Sequence, residues 1–432
     1  MSTLSSTPPR LSFGRKLLMA VLMAGIMTIV CALMLEVLLR VAGIQAAALP
    51  YDNNLPDAVL GMRPEPNKYW KANFPEYPGE LYMRTNNHAF YEPADTAPTP
   101  APGVRRIGIV GDSLTVGTCK PEENYPNLVE AELNQAEGRV ANEVLDAGVG
   151  RYSPYQYYLR AERELLPLGI NHLVVAIYAG NDYLDLIRED DRPHLVRGPG
   201  GTFEARPPTF VVYRDPNEPP SFLERSRVWQ IGRGLLGPTI LYQFSRVRLL
   251  SRDLAALGRG PLETFGYINQ IRKLDKVAHG LMVQSLHQRL WFDRFPETLE
   301  PAMAIDKRVM ELFAEMGRKH GIGVTLTVIP TKPDIEPQRI QSISRAVNAL
   351  EPKYTVTDIQ SFENKLIERT LADAQAAGLD VVDVRPALRA AAGRAELYYP
   401  ADMHLNVAGN HVVAGVLAEH LARKQSAAEV AK

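Results

Sequence analysis

Short apolar runs alternate with patterns of helical spacing through much of this sequence. Five runs are strand-like, at residues 106–110, 143–147, 172–178, 324–329 and 379–384. Helical patterns lie at residues 125–133, 153–166, 302–319 and 407–423. Strands and helices that alternate at this spacing are typical of βαβ units and a parallel sheet. The sequence therefore predicts one α/β domain with a parallel sheet and flanking helices over residues 105–425.

The alternation is interrupted between the third strand and the next helix. Residues 183–300 are rich in Pro, Gly and Arg and carry helical stretches without a strand pattern, which predicts a large, mainly helical insertion. Within it, arginines alternate with apolar residues over 225–252. This stretch fits an amphipathic face on anionic lipid, or a lid packed over the sheet with solvated arginines, and we favour the lid.

The N-terminal region contains 19 consecutive uncharged residues, 17–35. Such a helix is about 28 Å long, close to the roughly 30 Å hydrocarbon core, so we predict a transmembrane anchor over residues 17–39. Arg10, Arg15 and Lys16 precede it, which predicts a cytoplasmic segment 1–16 and an extracytoplasmic remainder. A signal peptide cleaved near alanines 46–48 and a buried helix are the alternatives.

Residues 44–104 are rich in proline and show little periodicity, so we predict a linker with short ordered pieces. The chain has 48 basic and 49 acidic residues, a net charge of −1, which argues against nucleic acid as a partner. Its histidines show no metal-binding spacing, and its two cysteines, Cys31 and Cys119, are expected in different media. We therefore expect no metal, no cofactor and no disulfide.

A possible nucleophile and possible hydrogen-bond donors follow the first three predicted strands. Ser113 comes three residues after the first, the backbone N–H groups of Gly148 and Gly150 follow the second, and Asn181 follows the third. Parallel sheets place ligands at the carboxyl ends of their strands, where a serine nucleophile and an amide or backbone donor to an oxyanion are useful. Each of these residues also suits an ordinary turn or helix cap.

Asp402 and His404 lie just before the last helix. A serine nucleophile needs a base whose pKa is near neutral, and histidine is the usual one, with a carboxylate to orient it. A lone histidine is more often structural. The order Ser113, Asn181, Asp402 and His404, each at a strand end or loop, makes the set specific.

These motifs resemble those of the SGNH, or GDSL, hydrolase superfamily. Residues 111–114 (Gly-Asp-Ser-Leu), 180–182 (Gly-Asn-Asp) and 402–404 (Asp-Met-His) match its blocks, and the apolar N-terminus with Arg-Thr-Asn-Asn at 84–87 is similar to its membrane-anchored bacterial branch. The resemblance implies a three-layer, flavodoxin-like fold. It implies Ser113 as nucleophile, His404 as base, Asp402 as its partner, and Asn181 with the Ser113 N–H as oxyanion donors.

Two positions depart from the family pattern. Many relatives have Asp-x-x-His, which would place the acid at Ala401, whereas Asp402 stands one residue closer, as in the polysaccharide O-acetylation proteins of the superfamily. The glycine of the second block falls at Arg151. The donor there would be the N–H of Arg151, Gly150 or Gly148, and the Arg151 side chain suits an anionic substrate.

The resemblance implies a serine esterase of the bacterial inner membrane, single-pass, with its domain outside the cytoplasm, acting on an ester or O-acylated glycan. One alternative is an O-acyltransferase of envelope polysaccharide that uses the same acyl-enzyme. Another is a non-catalytic glycan-binding or assembly subunit. The expected partners are this substrate and, through the N-terminal helix, the membrane.

Overall fold

The computed structural model describes residues 12–42, 54–187, 192–208, 226–228, 231, 287–339 and 356–430. The chain divides into two compact units, Met1–Ala47 with Asn217–Leu250, and Ala48–Pro216 with Ser251–Lys432. Most of the insertion, including nearly all of the arginine-rich stretch 225–252, lies outside the described residues, as do alanines 46–48.

The first unit contains one long apolar helix, α1, Phe13–Val41. It has 29 residues, none of them buried, and a mean hydropathy of 2.6 in its most apolar window, so it is long and apolar enough to cross a membrane. A signal sequence meets the same criteria. The single carboxylate of the helix, Glu36, accepts hydrogen bonds from Ser226 Oγ at 2.8 Å and the Val228 N–H at 2.9 Å.

The second unit contains the remaining described elements. Its strands are β1 (Asn54–Asp57), β2 (Gly61–Pro64), β3 (Tyr69–Ala72), β4 (Leu81–Arg84), β5 (Arg105–Gly111), β6 (Asn142–Asp146), β7 (His172–Tyr178), β8 (His194–Arg197), β9 (Phe203–Arg206), β10 (Gly323–Ile329) and β11 (Asp380–Val382). Its helices are α2 (Ser113–Val116), α3 (Tyr125–Glu137), α4 (Pro154–Arg160), α5 (Asp182–Asp185), α6 (His287–Arg294), α7 (Leu299–His320), α8 (Lys332–Ile335), α9 (Val356–Ala377), α10 (Arg385–Ala392) and α11 (Val407–Val430).

A five-stranded parallel sheet forms the centre of this unit, in the order β11-β10-β7-β5-β6. All five strands coincide with the apolar runs of the sequence, so the predicted parallel sheet is confirmed. The central strand β7 is buried along its whole length, as expected for a strand covered on both faces. The register pairs Gly111 at the end of β5 with Ala176 near the end of β7. The segments that follow these two strands therefore emerge at the same edge.

The two faces of the sheet carry separate apolar cores. Val175 and Ile177 of β7 belong to a cluster with residues of α4, α7 and α9, whereas Val174 and Ala176 belong to one with residues of α3, α10 and α11. This alternation follows from the two-residue period of a strand. The predicted three-layer fold with helices on both faces is confirmed.

The helices depart from the predictions at two places. Helix α9 is absent from the predicted elements, although Ile359, Phe362 and Leu366 recur at helical spacing within it. The helix predicted over 153–166 is α4 followed by a π turn, Ala161–Leu165, and a 3₁₀ turn, Leu166–Leu168. The 3₁₀ turn contains a proline and ends at Gly169 in the left-handed region, a common way to end a helix.

Two β-hairpins, β1–β2 and β3–β4, lie within the proline-rich segment 44–104. Phe74, Tyr77, Leu81 and Met83 are buried there, in a cluster that also contains Tyr399 from the segment before α11. The segment therefore packs against the sheet domain through an apolar cluster to which both contribute residues. In the described part of the insertion, α6 is one of the expected helices. The hairpin formed by β8 and β9 was not predicted, because the sequence there shows no strand pattern.

Candidate active site

Ser113 is the first residue of α2, and a single residue, Asp112, separates it from the end of β5 at Gly111. Asp112 takes the position of helix cap, because its Oδ1 accepts a hydrogen bond from the Leu114 N–H at 2.8 Å. Asp112 and Leu114 are buried, whereas Ser113 is partly exposed. The Ser113 hydroxyl is thus not needed as a cap and lies where a substrate can reach it.

His404 comes from the segment before α11, 291 residues further along the chain. Its Nε2 lies 2.8 Å from Ser113 Oγ, and its ring is buried. This is the distance of a hydrogen bond between a serine nucleophile and a general base.

Asp402 contacts the other ring nitrogen of the same histidine, with its Oδ1 on His404 Nδ1. The residue between them, Met403, is buried and has a φ of 71°, in the left-handed region that a side chain other than glycine rarely adopts. Tyr399 N–H donates to His404 O at 2.8 Å and closes the turn. The left-handed residue reverses the chain locally, so that residues only two positions apart meet.

Burial and two carboxylates act in opposite directions on His404. Burial by itself lowers the pKa of the imidazole, but the charge and hydrogen bond of Asp402 and the charge of Asp112 raise it, and the net result is a raised pKa. Burial in turn raises the pKa of Asp112 to about 6, against the Leu114 N–H and His404, which lower it. The site therefore stabilises the imidazolium that forms when a base accepts a proton.

Asn181 lies at the start of α5, at the same sheet edge as Ser113. Its Nδ2 donates to Asp185 Oδ2 at 2.7 Å, and this oxygen also pairs with Arg192 Nη1 at 2.8 Å. The Asp185 contact fixes which end of the Asn181 amide is the donor. Asp182, the third residue of the Gly-Asn-Asp block, accepts from the Tyr178 N–H and the Tyr157 hydroxyl, both at 2.8 Å.

The family comparison adds to this geometry. Residues 294–432, which include Asp402 and His404 but not Ser113, match the family model described as SGNH hydrolase-like domain, acetyltransferase AlgX. The match, the fold and the order of the motifs agree. This C-terminal third of the chain therefore matches an SGNH hydrolase-like domain, which supports the resemblance to the SGNH superfamily.

Several solved structures are distantly similar to this chain, whereas no curated protein matches it. An acetyl xylan esterase, AlAXEase, is 15% identical, with a TM-score of 0.34, covering 72% of this chain and 97% of that one. The lipase/acylhydrolase from Enterococcus faecalis is 13% identical, with a TM-score of 0.35, covering 74% and 95%. A two-domain esterase active on acetylated mannans is 13% identical, with a TM-score of 0.33, covering 74% and 49%.

The loop after β6 carries the second SGNH block. Arg151, at the position of the family glycine, has a φ of 71°, so it keeps the left-handed backbone that glycine adopts readily. Its side chain is exposed. The Gly148 N–H donates to Asp146 Oδ1 at 3.0 Å, which engages this N–H within the loop. Gly150 and Arg151 are accordingly the better positions for a backbone donor.

Gly148 has a packing role in the same loop. A Cβ at this position would lie 2.8 Å from Thr115 Cβ and from the Val116 backbone nitrogen, so only glycine lets the loop approach α2 this closely. Asp146, which binds the Gly148 N–H, also accepts from Asn124 Nδ2 at 2.9 Å, and burial raises its pKa to about 8. The loop is thus fixed against the turn that carries Ser113.

Two residues near the site were missed in the sequence. Lys332 is buried and donates through Nζ to Tyr399 O at 3.2 Å, and Glu76 accepts from the Ala401 N–H at 2.9 Å. Both act on the turn that carries Asp402 and His404. No local pattern marks them, because their partners are distant in sequence. Among the described residues, no group of three or more His, Cys, Asp or Glu is arranged to hold a metal ion.

Proposed function

We propose that the chain is a serine esterase or O-acyltransferase in which Ser113, His404 and Asp402 form the catalytic triad. The observation that supports this is the pair of contacts on one buried imidazole, Nε2 to Ser113 Oγ at 2.8 Å and Nδ1 to Asp402 Oδ1. A partly exposed serine hydroxyl beside such an imidazole has the arrangement required for nucleophilic attack on an ester.

The proposed reaction begins when Ser113 Oγ attacks the ester carbonyl carbon and its proton passes to His404 Nε2. The tetrahedral intermediate then collapses, and His404 gives the proton to the departing alkoxide oxygen, which leaves an acyl-enzyme on Ser113. In the second half, His404 takes a proton from water or from a sugar hydroxyl, whose oxygen attacks the acyl carbonyl. The proton returns to Ser113 as the new acid or ester leaves.

The proposed oxyanion donors are the Ser113 N–H, an N–H of Gly150 or Arg151, and Asn181 Nδ2. The Ser113 N–H lies in the first turn of α2, where N–H groups have no partner within the helix. Asn181 Nδ2 carries two hydrogens, and the contact with Asp185 uses one of them. A preorganised donor of this kind contributes about 3 kcal/mol to transition-state stabilisation.

The acyl acceptor distinguishes an esterase from a transferase, because water and a sugar hydroxyl can react with the same acyl-enzyme. The family description names an acetyltransferase, which supports transfer to a glycan as the second candidate. Incubation with a chromogenic acetyl ester, with and without an oligosaccharide acceptor, separates the two. Acetylated oligosaccharide supports transfer, and acetate alone supports hydrolysis.

Arg151 is proposed to bind an acidic group of the substrate, since its exposed guanidinium lies in the loop proposed to supply an oxyanion donor. A raised KM for an acidic acetylated oligosaccharide in Arg151→Ala, with an unchanged KM for a neutral one, would support this role. Equal KM values for the acidic substrate in both proteins would exclude it.

We also propose that α1 is an uncleaved anchor, with segment 1–16 in the cytoplasm and with the hairpin-containing segment 44–104 and the domain 105–425 outside. Reporter fusions after residue 16 and after residue 432, together with the N-terminal sequence of the purified protein, test this arrangement. A mature N-terminus near residue 49 would show that the segment is a cleaved signal peptide.

The decisive experiment is reaction of the full-length protein, in detergent, with a fluorophosphonate, followed by mapping of the adduct. We expect an adduct on Ser113 that is lost in Ser113→Ala and strongly reduced in His404→Ala. His411→Ala, an exposed histidine on α11, is the matched control and should react normally. No adduct on Ser113 in the wild-type protein would refute the enzyme and favour a glycan-binding subunit.

A further inference from the structure

A carboxylate outside the triad contacts the turn that carries the triad's acid. Glu76 lies between β3 and β4, and its Oε2 accepts hydrogen bonds from the Ala401 N–H at 2.9 Å and the Asp402 N–H at 3.4 Å. More than 320 residues separate the partners in sequence. A single carboxylate oxygen therefore holds two consecutive backbone groups, one of them on Asp402.

The position of Glu76 is fixed by the aromatic residues around it. The Phe74 ring packs edge-on against Tyr399, with centroids 4.9 Å apart, and the Tyr77 hydroxyl donates to Glu123 Oε2 at 2.7 Å. Both aromatic side chains are buried. The backbone around Glu76 is thus anchored on both sides, and its carboxylate stays at the turn.

The turn needs an external contact because its geometry is unusual. Asp402 reaches His404 only because Met403 adopts a left-handed backbone, a conformation that is unfavourable for a residue with a side chain. The Glu76 hydrogen bonds fall on the residues just before Met403. Charge-assisted bonds to successive N–H groups resist a rotation of this peptide away from the ring.

We propose that Glu76 is a positioning residue for the catalytic acid: it holds the Ala401–Asp402 backbone so that the Asp402 carboxylate faces His404 Nδ1. This inference rests on the proposed triad. It implies that the hairpin region ahead of the sheet domain, rather than the domain alone, completes the active site.

The test compares Glu76→Ala, Glu76→Asp and Glu76→Gln in the full-length protein. Ala removes the acceptor, Asp withdraws the carboxylate by one methylene, and Gln keeps an acceptor oxygen without the charge. Glu80→Ala is the matched control, since this exposed glutamate of the same hairpin region pairs with Lys71 and Tyr82 instead. The readouts are the rate of fluorophosphonate labelling against pH and the pKa of the His404 ring from NMR of histidine-labelled protein, with its signal assigned by loss in His404→Gln.

We expect labelling about tenfold slower in Glu76→Ala and Glu76→Asp, near the wild-type rate in Glu76→Gln, and unchanged in Glu80→Ala. The pKa of His404 should fall in the Ala and Asp variants, because Asp402 no longer supports the imidazolium as closely. A lower melting temperature with an unchanged His404 pKa would mean a purely structural role and overturn the proposal. If wild-type Ser113 fails to label, the proposed function is wrong, while the NMR titration still decides whether Glu76 positions Asp402.

Discussion

Asp402→Asn tests whether the closely spaced acid acts as the third member of the triad. The substitution keeps the shape of the side chain and removes its charge. The Asp402 side chain is 21% exposed and that of His404 is 2% exposed, so the pair is partly shielded from solvent. An imidazolium and a carboxylate about 4 Å apart, at an effective dielectric of about 20, attract by about 4 kcal/mol. This corresponds to about three powers of ten in rate.

The expected loss is somewhat smaller than that limit, because Asp402 is partly exposed and Asp112 also supports a positive charge on His404. We expect the maximal rate of fluorophosphonate labelling to fall by about 10²–10³-fold in Asp402→Asn. The pKa of His404 should also fall, since burial lowers it and the charge and hydrogen bond of the Asp402 carboxylate are the main effects that raise it. The imidazole acts as a base only when neutral, so the acidic limb of the pH–rate profile should move to lower pH.

Two further variants make this prediction specific. Asp380→Asn is the matched control, because Asp380 Oδ2 contacts His420 Nε2 at 2.5 Å near the opposite edge of the sheet. It should not change the labelling rate. In the double variant Ala401→Asp with Asp402→Asn, the acid stands at the more common family spacing, and we expect no recovery. Recovery, or a full rate and an unmoved acidic limb in Asp402→Asn alone, would refute the assignment.

Three other outcomes follow from the described contacts. Gly148→Ala should lower the melting temperature and slow labelling at least tenfold, because its Cβ would displace Thr115 and the turn that carries the nucleophile; a normal labelling rate would contradict this. Lys332→Met should lower the free energy of unfolding by about 3–5 kcal/mol, because it removes the cation that lies 3.8 Å from the buried Glu336 carboxylate. Denaturant titration measures this loss, and a loss below about 1 kcal/mol would contradict the prediction. Burial lowers the pKa of His172 to about 3. Below about pH 6.5 the unfolded chain therefore protonates this histidine while the folded protein does not. The free energy of unfolding should fall there by up to about 1.4 kcal/mol per pH unit. The His172→Gln protein should lose less stability over this range, and parallel curves would exclude the effect.

Strands and most helices could be predicted because each depends on a local period. The run at 172–178 becomes β7 over the same residues, since the six apolar or β-favouring residues that follow His172 suit a strand covered on both faces. Asn406 precedes the last helix, and its Oδ1 accepts from the Gly409 N–H at 3.0 Å, as expected of an N-cap. Helix α9 has such a period too but was not among the predicted elements, and the hairpins within 44–104 were obscured by prolines.

The candidate site could be predicted only as a set of separate motifs. Ser113, Asn181 and His404 each follow a strand or precede a helix, and that places them at one edge of the sheet. Glu76 and Lys332 carry no such marker. Their partners in the turn before α11 lie far away in sequence, and only the tertiary packing of these segments brings them together.

The sequence by itself determined the parallel sheet, the apolar N-terminal helix and the order of the motif residues. These follow from hydrophobic periodicity and from residue types at strand ends, which are local properties. The tertiary structure decided that Asp402, at its short spacing, reaches His404. That contact depends on the left-handed backbone of Met403 in a turn that also contacts Glu76 and Lys332. An unfavourable backbone conformation persists only where the surrounding contacts outweigh its cost, and those contacts exist only in the folded chain.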